Sequence, residues 1–309
     1  MDLTRALLIV NPHKANARTL ADEIEGELSR RGVEVSSFAF ETKETFQASG
    51  TYGLCFSLGG DGTVLYAART MAPLGVPLFP INLGSLGFIA AVHPREWAAV
   101  FDRWMEGAAV ISRRLMLEVW VERRGEIINR GICLNEVVVS ALGIAKIIRL
   151  NVEAETGGDG RPGSSPEHIR FGHYRSDGLI VATPTGSTAY SVAAGGPILD
   201  PEMEAVIINP ICPFTLSNRP MVVPAHETMI VELEAEQRSG VLLTIDGQET
   251  EPLEPNDRIY IRRSPCQAQL IASDRRMFYK ALRTKLNWSG FSEPDPLAEP
   301  PEGGGGPHA

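Results

Sequence analysis

An α/β N-terminal domain with a mostly parallel sheet, an all-β sandwich-like second domain and a C-terminal helix packing back on the first domain are what this sequence predicts. Three observations predict it. Over residues 1–111, apolar strand-like runs alternate with helix-like segments; that order builds a parallel sheet with helices on both faces. From residue 112, strand candidates follow at close spacing with few helical stretches between them, as in an antiparallel sandwich. Residues 277–286 then read as one last helix. The expected division is 1–111, 112–274, 275–291 for the returning helix and 292–309 for a tail.

Each element follows from its residues. The run 6–10 (ALLIV) is continuously apolar, as in a strand buried on both faces, and ends at Asn11-Pro12. Leu20, Ile24 and Leu28 recur every fourth residue and give one helix face, with Gly32 as a stop. Residues 33–40 and 54–58 read as strands, 64–71 as a helix with Pro73 beyond it, and 76–81 as a fourth strand. Pro94 opens a helix with Trp97, Val100, Phe101 and Trp104 on one face. In the second domain Leu115, Leu117, Val119 and Val121 alternate, Arg124-Gly125 makes a turn, and 127–139 reads as one longer strand. Strands are expected at 147–154, 169–174, 178–182, 229–233, 241–245, 259–261 and 268–271. The stretch 156–166 (TGGDGRPGSSP) has too few apolar side chains to pack and reads as a mobile loop. The Pro-, Gly- and acid-rich residues 292–309 read as a disordered tail.

Composition narrows the function. With 43% apolar and 22% charged residues the chain is an ordinary globular mixture. A net charge of -9 argues against nucleic acid as a partner, because phosphate backbones are bound by surplus Lys and Arg. An anionic small ligand is still allowed, since one pocket can be positive on an acidic protein. Cys55, Cys133, Cys212 and Cys266 form no Cys-x-x-Cys pair; Cys55 and Cys133 lie in apolar runs and read as buried free thiols. The N-terminal apolar run is too short for a signal peptide and no run approaches a membrane span. A reducing cytoplasm is the expected location. The six histidines show no metal-ligand spacing.

The sharpest local feature is Gly59-Gly60-Asp61-Gly62-Thr63, where an apolar strand ends in glycines around one acid and a helix begins. Glycines let backbone approach phosphate oxygens closely, and free N–H groups at a helix N-terminus form an anion site. An Asp inside such a loop can face an attacking hydroxyl or a metal. The competing reading is a tight strand–helix turn with Asp61 as a cap. The loop has neither the spacing of a P-loop nor that of a dinucleotide turn. A second feature is Thr183-Pro184-Thr185-Gly186-Ser187-Thr188, a hydroxyl-rich turn after an apolar strand headed by Asp177. Its small residues and hydroxyls suit a polar ligand, and Tyr190 can stack on a planar ring. The competing reading is a Ser/Thr-capped helix with Tyr190 simply packed.

The glycine loop resembles that of a kinase superfamily containing NAD kinases, diacylglycerol and sphingosine kinases and, more distantly, phosphofructokinases. Three further segments are similar to NAD kinases in particular. They are Asn135-Glu136, the run from Ser176 to Ser191 continued by Gly195-Gly196-Pro197-Ile198, and Asp246-Gly247-Gln248. Asn82-Leu83-Gly84-Ser85-Leu86-Gly87-Phe88 resembles the loop after the family's fourth strand. The matches run in family order over about residues 7–288.

The resemblance implies transfer of a phosphoryl group from ATP or polyphosphate to the 2′-hydroxyl of the adenosine ribose of NAD, in a site between the two domains. Asp61 would be the general base, Gly62 would line the same loop, and Gly59, Gly60 and Thr63 would complete the phosphate loop. Asn135 and Glu136 would hold the adenosine ribose. Lys146, Arg175, Asp177 and Gln248 would be further ligand contacts. Thr188, Ala189, Tyr190, Ser191 and Ala193 would grip the adenine and nicotinamide parts, and Cys212 would offer a backbone contact. A divalent cation, Mg²⁺ by default, would ride with the donor phosphates. The family's subunits associate as dimers or tetramers, which implies a homo-oligomer here. The chain departs from the pattern at Tyr66, where many members carry Arg, at Pro80, where glycine is more usual, and in a longer loop at 156–166.

Two rival readings remain beside it. A lipid kinase of the same superfamily explains the glycine loop but not Asn135-Glu136 or the Ser176 to Ser191 run. A non-catalytic nucleotide sensor needs the pocket but not Asp61. A Rossmann dehydrogenase lacks its glycine fingerprint. The choice between ATP and polyphosphate is open, as is that between NAD and NADH, although Arg175 would favour NAD.

Overall fold

Burial on both faces explains the first sheet. In the computed structural model, which describes residues 2–40, 46, 50–84, 87–90, 92–143, 146–156, 167–215 and 217–286, β1 (Arg5–Val10), β2 (Glu34–Ala39), β3 (Leu54–Gly59) and β4 (Leu78–Asn82) run parallel in the order β2-β1-β3-β4. The apolar runs of β1, β3 and β4 lose water on both sides. α1 (Ala17–Arg30) and α3 (Trp97–Met105) cover one face, where Leu20, Ile24, Leu28, Trp97, Phe101 and Trp104 meet Leu8, Phe56 and Phe79. α2 (Asp61–Met71) covers the other, setting Val64, Ala68 and Met71 on Leu7, Ile9 and Cys55. Each large apolar side chain so buried contributes about 2 kcal/mol. Cys55 and Cys133 are buried free thiols, and burial pushes both thiols up.

The second domain is a sandwich. One layer is the six-stranded sheet β12-β11-β10-β7-β14-β15. It comprises β7 (Glu136–Ala141), β10 (Gly178–Ala182), β11 (Ala205–Ile211), β12 (Met221–Pro224), β14 (Val241–Ile245) and β15 (Glu249–Leu253). The facing layer contains β5 (Ile111–Arg123), β6 (Glu126–Cys133), β8 (Ile148–Thr156), β9 (Glu167–Ser176), β13 (Thr228–Leu233) and β16 (Arg258–Ile271). Alternate side chains of both layers, among them Val119, Val139, Val181, Val231, Leu243 and Ile259, share one core. The β5–β6 hairpin turns at Arg124-Gly125, both at positive φ (55° and 82°), as a two-residue hairpin requires.

The domains are not separate sheets. β16 pairs with β5 along its length, with β13 through Ile259–Ile261, and with β4 at Leu270↔Leu78. One ten-stranded sheet therefore runs through both halves. α2's core continues into the second domain through Met116, Leu134, Ala268 and Leu270. α5 (Arg275–Leu286) closes the junction. Phe278 lies 6.3 Å from Phe88, and Arg275 and Tyr279 bind Asp200.

The structure corrects the strand reading in several places. Residues 127–139 are two strands in different sheets, broken at Leu134–Asn135, because the N–H groups there turn to a side chain, Asp246. Residues 259–261 and 268–271 belong to one strand, β16, with a register shift between Arg263 and Gln267 around Pro265, which has no N–H to pair. β11, β12 and β15 escaped notice because each carries a proline in or at the end of a short run. α3 begins at Trp97, after Pro94 has set the turn. Pro80 fits within β4 because its side of the strand faces Val92, whose N–H it accepts, and not a full partner strand. The expected loop beyond residue 156, residues 287–291 of the returning helix, the tail at 292–309, and Ser85 and Leu86 lie outside the described residues.

The far end of the sandwich is held by Arg123, which pairs with Asp257 and with Glu254. Arg123 binds Asp257 with both arms (2.9 and 2.8 Å), and Asp257 is 1% exposed. Replacing Arg123 with Ala removes that carboxylate's guanidinium and leaves it the Glu254 N–H (2.8 Å). Urea denaturation is expected to show a loss on the order of 3 kcal/mol; a loss below about 1 kcal/mol would put the pair among inert surface bridges.

Candidate functional site

Asp61 is the first residue of α2, where the chain leaves β3 through Gly59 and Gly60. Its carboxylate is fixed by the loop after β4. Phe88 N–H donates to Oδ2 (3.0 Å), and Ile89 and Ala90 N–H donate to Oδ1 (3.2 and 3.0 Å). Such close approach requires Gly87, since a Cβ there would sit within the carboxylate. Gly59 is equally confined, by the Thr63 side chain and Asn11, whereas a Cβ on Gly60 would meet nothing. The loop is thus packed on one side and open on the other, as an anion cradle needs. Leu83 N–H donates to the Gly59 carbonyl (2.7 Å) and ties the two loops together. Beside them a cavity of about 810 Å³ is lined by Asn16, Glu23, Gly84, His93 and Trp97 among others.

The second domain reaches this loop through the β14–β15 hairpin. Asp246 and Gly247 take positive φ (49° and 66°) in its tight turn. The Asp246 carboxylate, buried and pushed up by that burial, accepts N–H bonds from Leu134 (2.9 Å), Asn135 (2.8 Å) and Glu136 (3.2 Å). Arg69 of α2 lies 3.4 Å from it and donates to Gln248 Oε1 (2.8 Å) and Glu249 Oε1 (3.2 Å). Gln248 Nε2 then donates to the Gly62 carbonyl (2.8 Å). Gln248, expected as a ligand contact, is here a strut between the domains. Arg69 was missed by sequence reading, since a lone arginine late in a helix carries no local signal.

Asn135 and Glu136 stand where β6 gives way to β7. Both are buried, and Asn135 Oδ1 and Glu136 Oε2 have no hydrogen-bond partner among the described residues. Burial, and then the nearby Asp246 charge, push the Glu136 carboxyl up to about 8, against a counteracting bond from the Tyr190 N–H. At neutral pH Glu136 is therefore a protonated donor beside an idle amide acceptor. The turn after β10 (Gly178–Ala182) seats on this pair. Thr183 N–H donates to the Asn135 carbonyl (2.8 Å), Thr183 Oγ1 donates to the Leu134 carbonyl (2.5 Å), and Gly186 N–H donates to Thr183 Oγ1 (3.0 Å). A Cβ on Gly186 would collide with the Asn135 backbone.

The remaining candidates fall into two groups. Thr188, Ala189, Tyr190, Ser191 and Ala193 follow this turn in a 3₁₀ segment and α4 (Tyr190–Ala193). Tyr190 is 47% exposed and its ring is free to meet a ligand, as is Ala193. Ser191 faces inward, accepting Asn209 Nδ2 on its carbonyl and hydroxyl (2.9 and 3.3 Å). Thr188 Oγ1 turns back to the Thr185 carbonyl (3.3 Å). Arg175, Asp177, Cys212 and Lys146 lie toward the opposite end of β10, roughly 14 Å away along a five-residue strand. There Arg175 stacks on Phe214 (4.8 Å), Cys212 is exposed at φ 45°, and Lys146 is exposed. Tyr66 packs against Phe38 and Phe40, and its hydroxyl accepts the Phe46 N–H (2.8 Å). It packs into the first domain's core.

Comparison with known proteins follows the same division. Residues 52–109 match the family model of the ATP-NAD kinase N-terminal domain, and residues 167–273 that of the ATP-NAD kinase C-terminal domain. The NAD kinase of Treponema denticola is 40% identical over 293 residues, which span 94% of this chain and 99% of that protein. The NAD kinase of Treponema pallidum (strain Nichols) is 38% identical over 93% of this chain and 90% of its own. Yeast NADH kinase, solved in complex with NADH, shares the fold with a TM-score of 0.80 at 20% identity, over 97% of this chain and 91% of that one. An NAD kinase from Archaeoglobus fulgidus, solved with ATP, has a TM-score of 0.66 at 25% identity, over 90% of this chain and 96% of that one.

Glu136 gives the site a pH signature. Its folded carboxyl keeps its proton up to about 8, while the unfolded one releases it near 4.5. Across that window the folded chain binds more protons, so this group's contribution to stability falls as pH rises and levels off above it. Glu136→Gln keeps the shape without the titration. Denaturation of the ligand-free protein from pH 5 to 9 is expected to show the variant gaining on the wild type up to about pH 8. A difference that stays flat across the range would refute the protonated carboxyl.

Proposed function

This chain belongs to the NAD kinase family, and on that premise we propose that it transfers a phosphoryl group from ATP or polyphosphate to the 2′-hydroxyl of the adenosine ribose of NAD, forming NADP. The observation that carries the reading is the setting of Asp61. Three backbone N–H groups hold its carboxylate, and the Gly62–Gln248–Arg69–Asp246 chain fixes it relative to Asn135 and Glu136.

Each residue then has a task. Asn135 Oδ1 and the Glu136 carboxyl, an acceptor and a donor, hold the adenosine ribose. Among the described residues Asp61 Oδ2 accepts one N–H bond, so it retains lone-pair capacity for a second donor. It takes the 2′-hydroxyl proton at about 2.6–3.2 Å as the oxygen attacks the terminal phosphorus and the bond to the leaving phosphate breaks. The open side of the glycine loop offers the N–H groups ahead of Thr63, whose own N–H donates to the Gly60 carbonyl (3.0 Å), to the donor phosphates. A divalent cation, Mg²⁺ by default, would offset the charge of those phosphates. No three His, Cys, Asp or Glu side chains gather as a cage among the described residues, so phosphate oxygens would supply most of its ligands.

Tyr190, with Thr188, Ala189, Ser191 and Ala193 shaping its turn, receives the planar rings. Arg175, Asp177, Lys146 and the Cys212 backbone are proposed as further dinucleotide contacts, with Arg175 favouring NAD over NADH. The functional division of the chain is 1–111, 112–274 and 275–291, with 292–309 as a tail. The working form is a homodimer or homotetramer in a reducing cytoplasm. No described helix is long and apolar enough to cross a membrane.

Asp61→Asn tests the base. The variant is expected to bind NAD within about threefold of the wild type while kcat falls by roughly 100- to 10,000-fold in a coupled NADP-formation assay. Near-normal turnover would remove Asp61 from the chemistry.

A further inference from the structure

Arg114 is a cation in an apolar place. It stands on β5 opposite Ala268 of β16, is 2% exposed, and ranks among the largest fully buried side chains. Taking a guanidinium out of water costs several kcal/mol unless it is paired, and an apolar side chain of similar volume often serves stability better. Among the described residues no carboxylate forms an ion pair with it; Asp200, Glu202 and Asp274 act on it only through space. Burial pulls it down to about 10, so it remains charged at neutral pH. Packing alone does not explain an arginine here.

Its hydrogen bonds lead to the proposed base. Arg114 Nη2 donates to the Ser273 carbonyl (2.7 Å) and reaches the Ser273 hydroxyl (3.4 Å). Ser273, 1% exposed, donates its hydroxyl to the Ile89 carbonyl (3.3 Å). That carbonyl belongs to the same peptide unit as the Ala90 N–H, which donates to Asp61 Oδ1 (3.0 Å). Hydrogen bonds in series polarise one another, and a cation at the head of the series strengthens the donor at its end. The chain also crosses the molecule. Arg114 comes from the second domain's first strand and Ser273 from the segment after β16, whereas Ile89 and Asp61 belong to the first domain.

We propose that Arg114 is a positioning residue for phosphoryl transfer, fixing through Ser273 and the Ile89–Ala90 peptide the loop that holds the Asp61 carboxylate. This rests on Asp61 being the base. A misplacement of about 1 Å at a reacting group can slow a reaction roughly 100-fold without weakening substrate binding. Arg114 would thus serve the rate at a cost in stability.

The test compares Arg114→Met, Arg114→Lys, Ser273→Ala and Asp61→Asn in the full chain, with kcat and KM for NAD and ATP and a urea unfolding curve for each. Arg114→Met and Ser273→Ala are expected to lose about tenfold or more in kcat with both KM values within about twofold. Arg114→Lys, which keeps the charge and one donor, is expected to recover part of that loss, and the Arg114→Met/Ser273→Ala double variant to be no slower than the worse single one. Full kcat in folded Arg114→Met and Ser273→Ala beside an inactive Asp61→Asn overturns the positioning role and leaves the base standing. A normal Asp61→Asn overturns the base itself. If Arg114→Met does not fold, Ser273→Ala decides: an unchanged kcat, or a loss matched by KM, overturns the inference.

Discussion

The buried Asp246 carboxylate is the contact on which the site's geometry depends. It stands in a hairpin turn, where positive φ at Asp246 and Gly247 lets the chain reverse within two residues. From there it takes the N–H groups of Leu134, Asn135 and Glu136. Those donors would otherwise belong to a strand ladder. Their capture ends β6, starts β7 in the other sheet, and leaves Asn135 and Glu136 side by side, each with a polar atom that has no partner among the described residues. The same carboxylate draws Arg69 in from α2, and Arg69 with Gln248 ties that helix's first turn to the second domain. An unpaired buried carboxylate would cost several kcal/mol; three N–H donors and one guanidinium make this one tolerable.

Two carboxyl groups of the site are driven toward different roles by their surroundings. Asp61 sits at a helix start, where three backbone N–H groups fix the direction of its carboxylate. Glu136 is enclosed and lies near the Asp246 charge, conditions that favour a neutral donor. A neutral Glu136 can hold a hydroxyl as a donor, a role its geometry gives it apart from that proposed for Asp61. The division is also one of domains, since Asp61 belongs to the parallel sheet and Glu136 to the sandwich. The continuous sheet through β16 and the Asp246–Arg69–Gln248 bridge tie the two halves together.

Much of this was legible in the residues. Periodicity gave β1, α1, β3, α2 and several sandwich strands, among them β5, β8, β10, β13 and β14, because each buries a face whose spacing is local. The Gly59 to Thr63 loop was visible because its chemistry is written in consecutive residues, whereas the Asn135-Glu136 pair stood out only through the resemblance to NAD kinases. What stayed hidden was set by distant partners. The break at Leu134–Asn135 depends on a side chain more than a hundred positions away. The resemblance implies a ligand contact at Gln248; its bonds to Arg69 and Gly62, which tie the domains, carry no signal in the tripeptide. Arg114 looks like surface charge in an alternating strand until β16 and Ser273 cover it. Pro265 split one strand into two readings because a bulge and a strand end look alike from one side of the ladder.

The most direct test of the account is the fate of the phosphoryl group. The protein, ATP, Mg²⁺ and NAD are incubated together, and the products are read by phosphorus NMR, with 2′-deoxy-NAD as the parallel acceptor. The account predicts a new phosphomonoester on the 2′ carbon of the adenosine ribose, formed in step with ADP, and none with the deoxy analogue. Conversion of ATP to ADP and free phosphate with NAD unchanged, or a phosphate placed on any other hydroxyl, would contradict it.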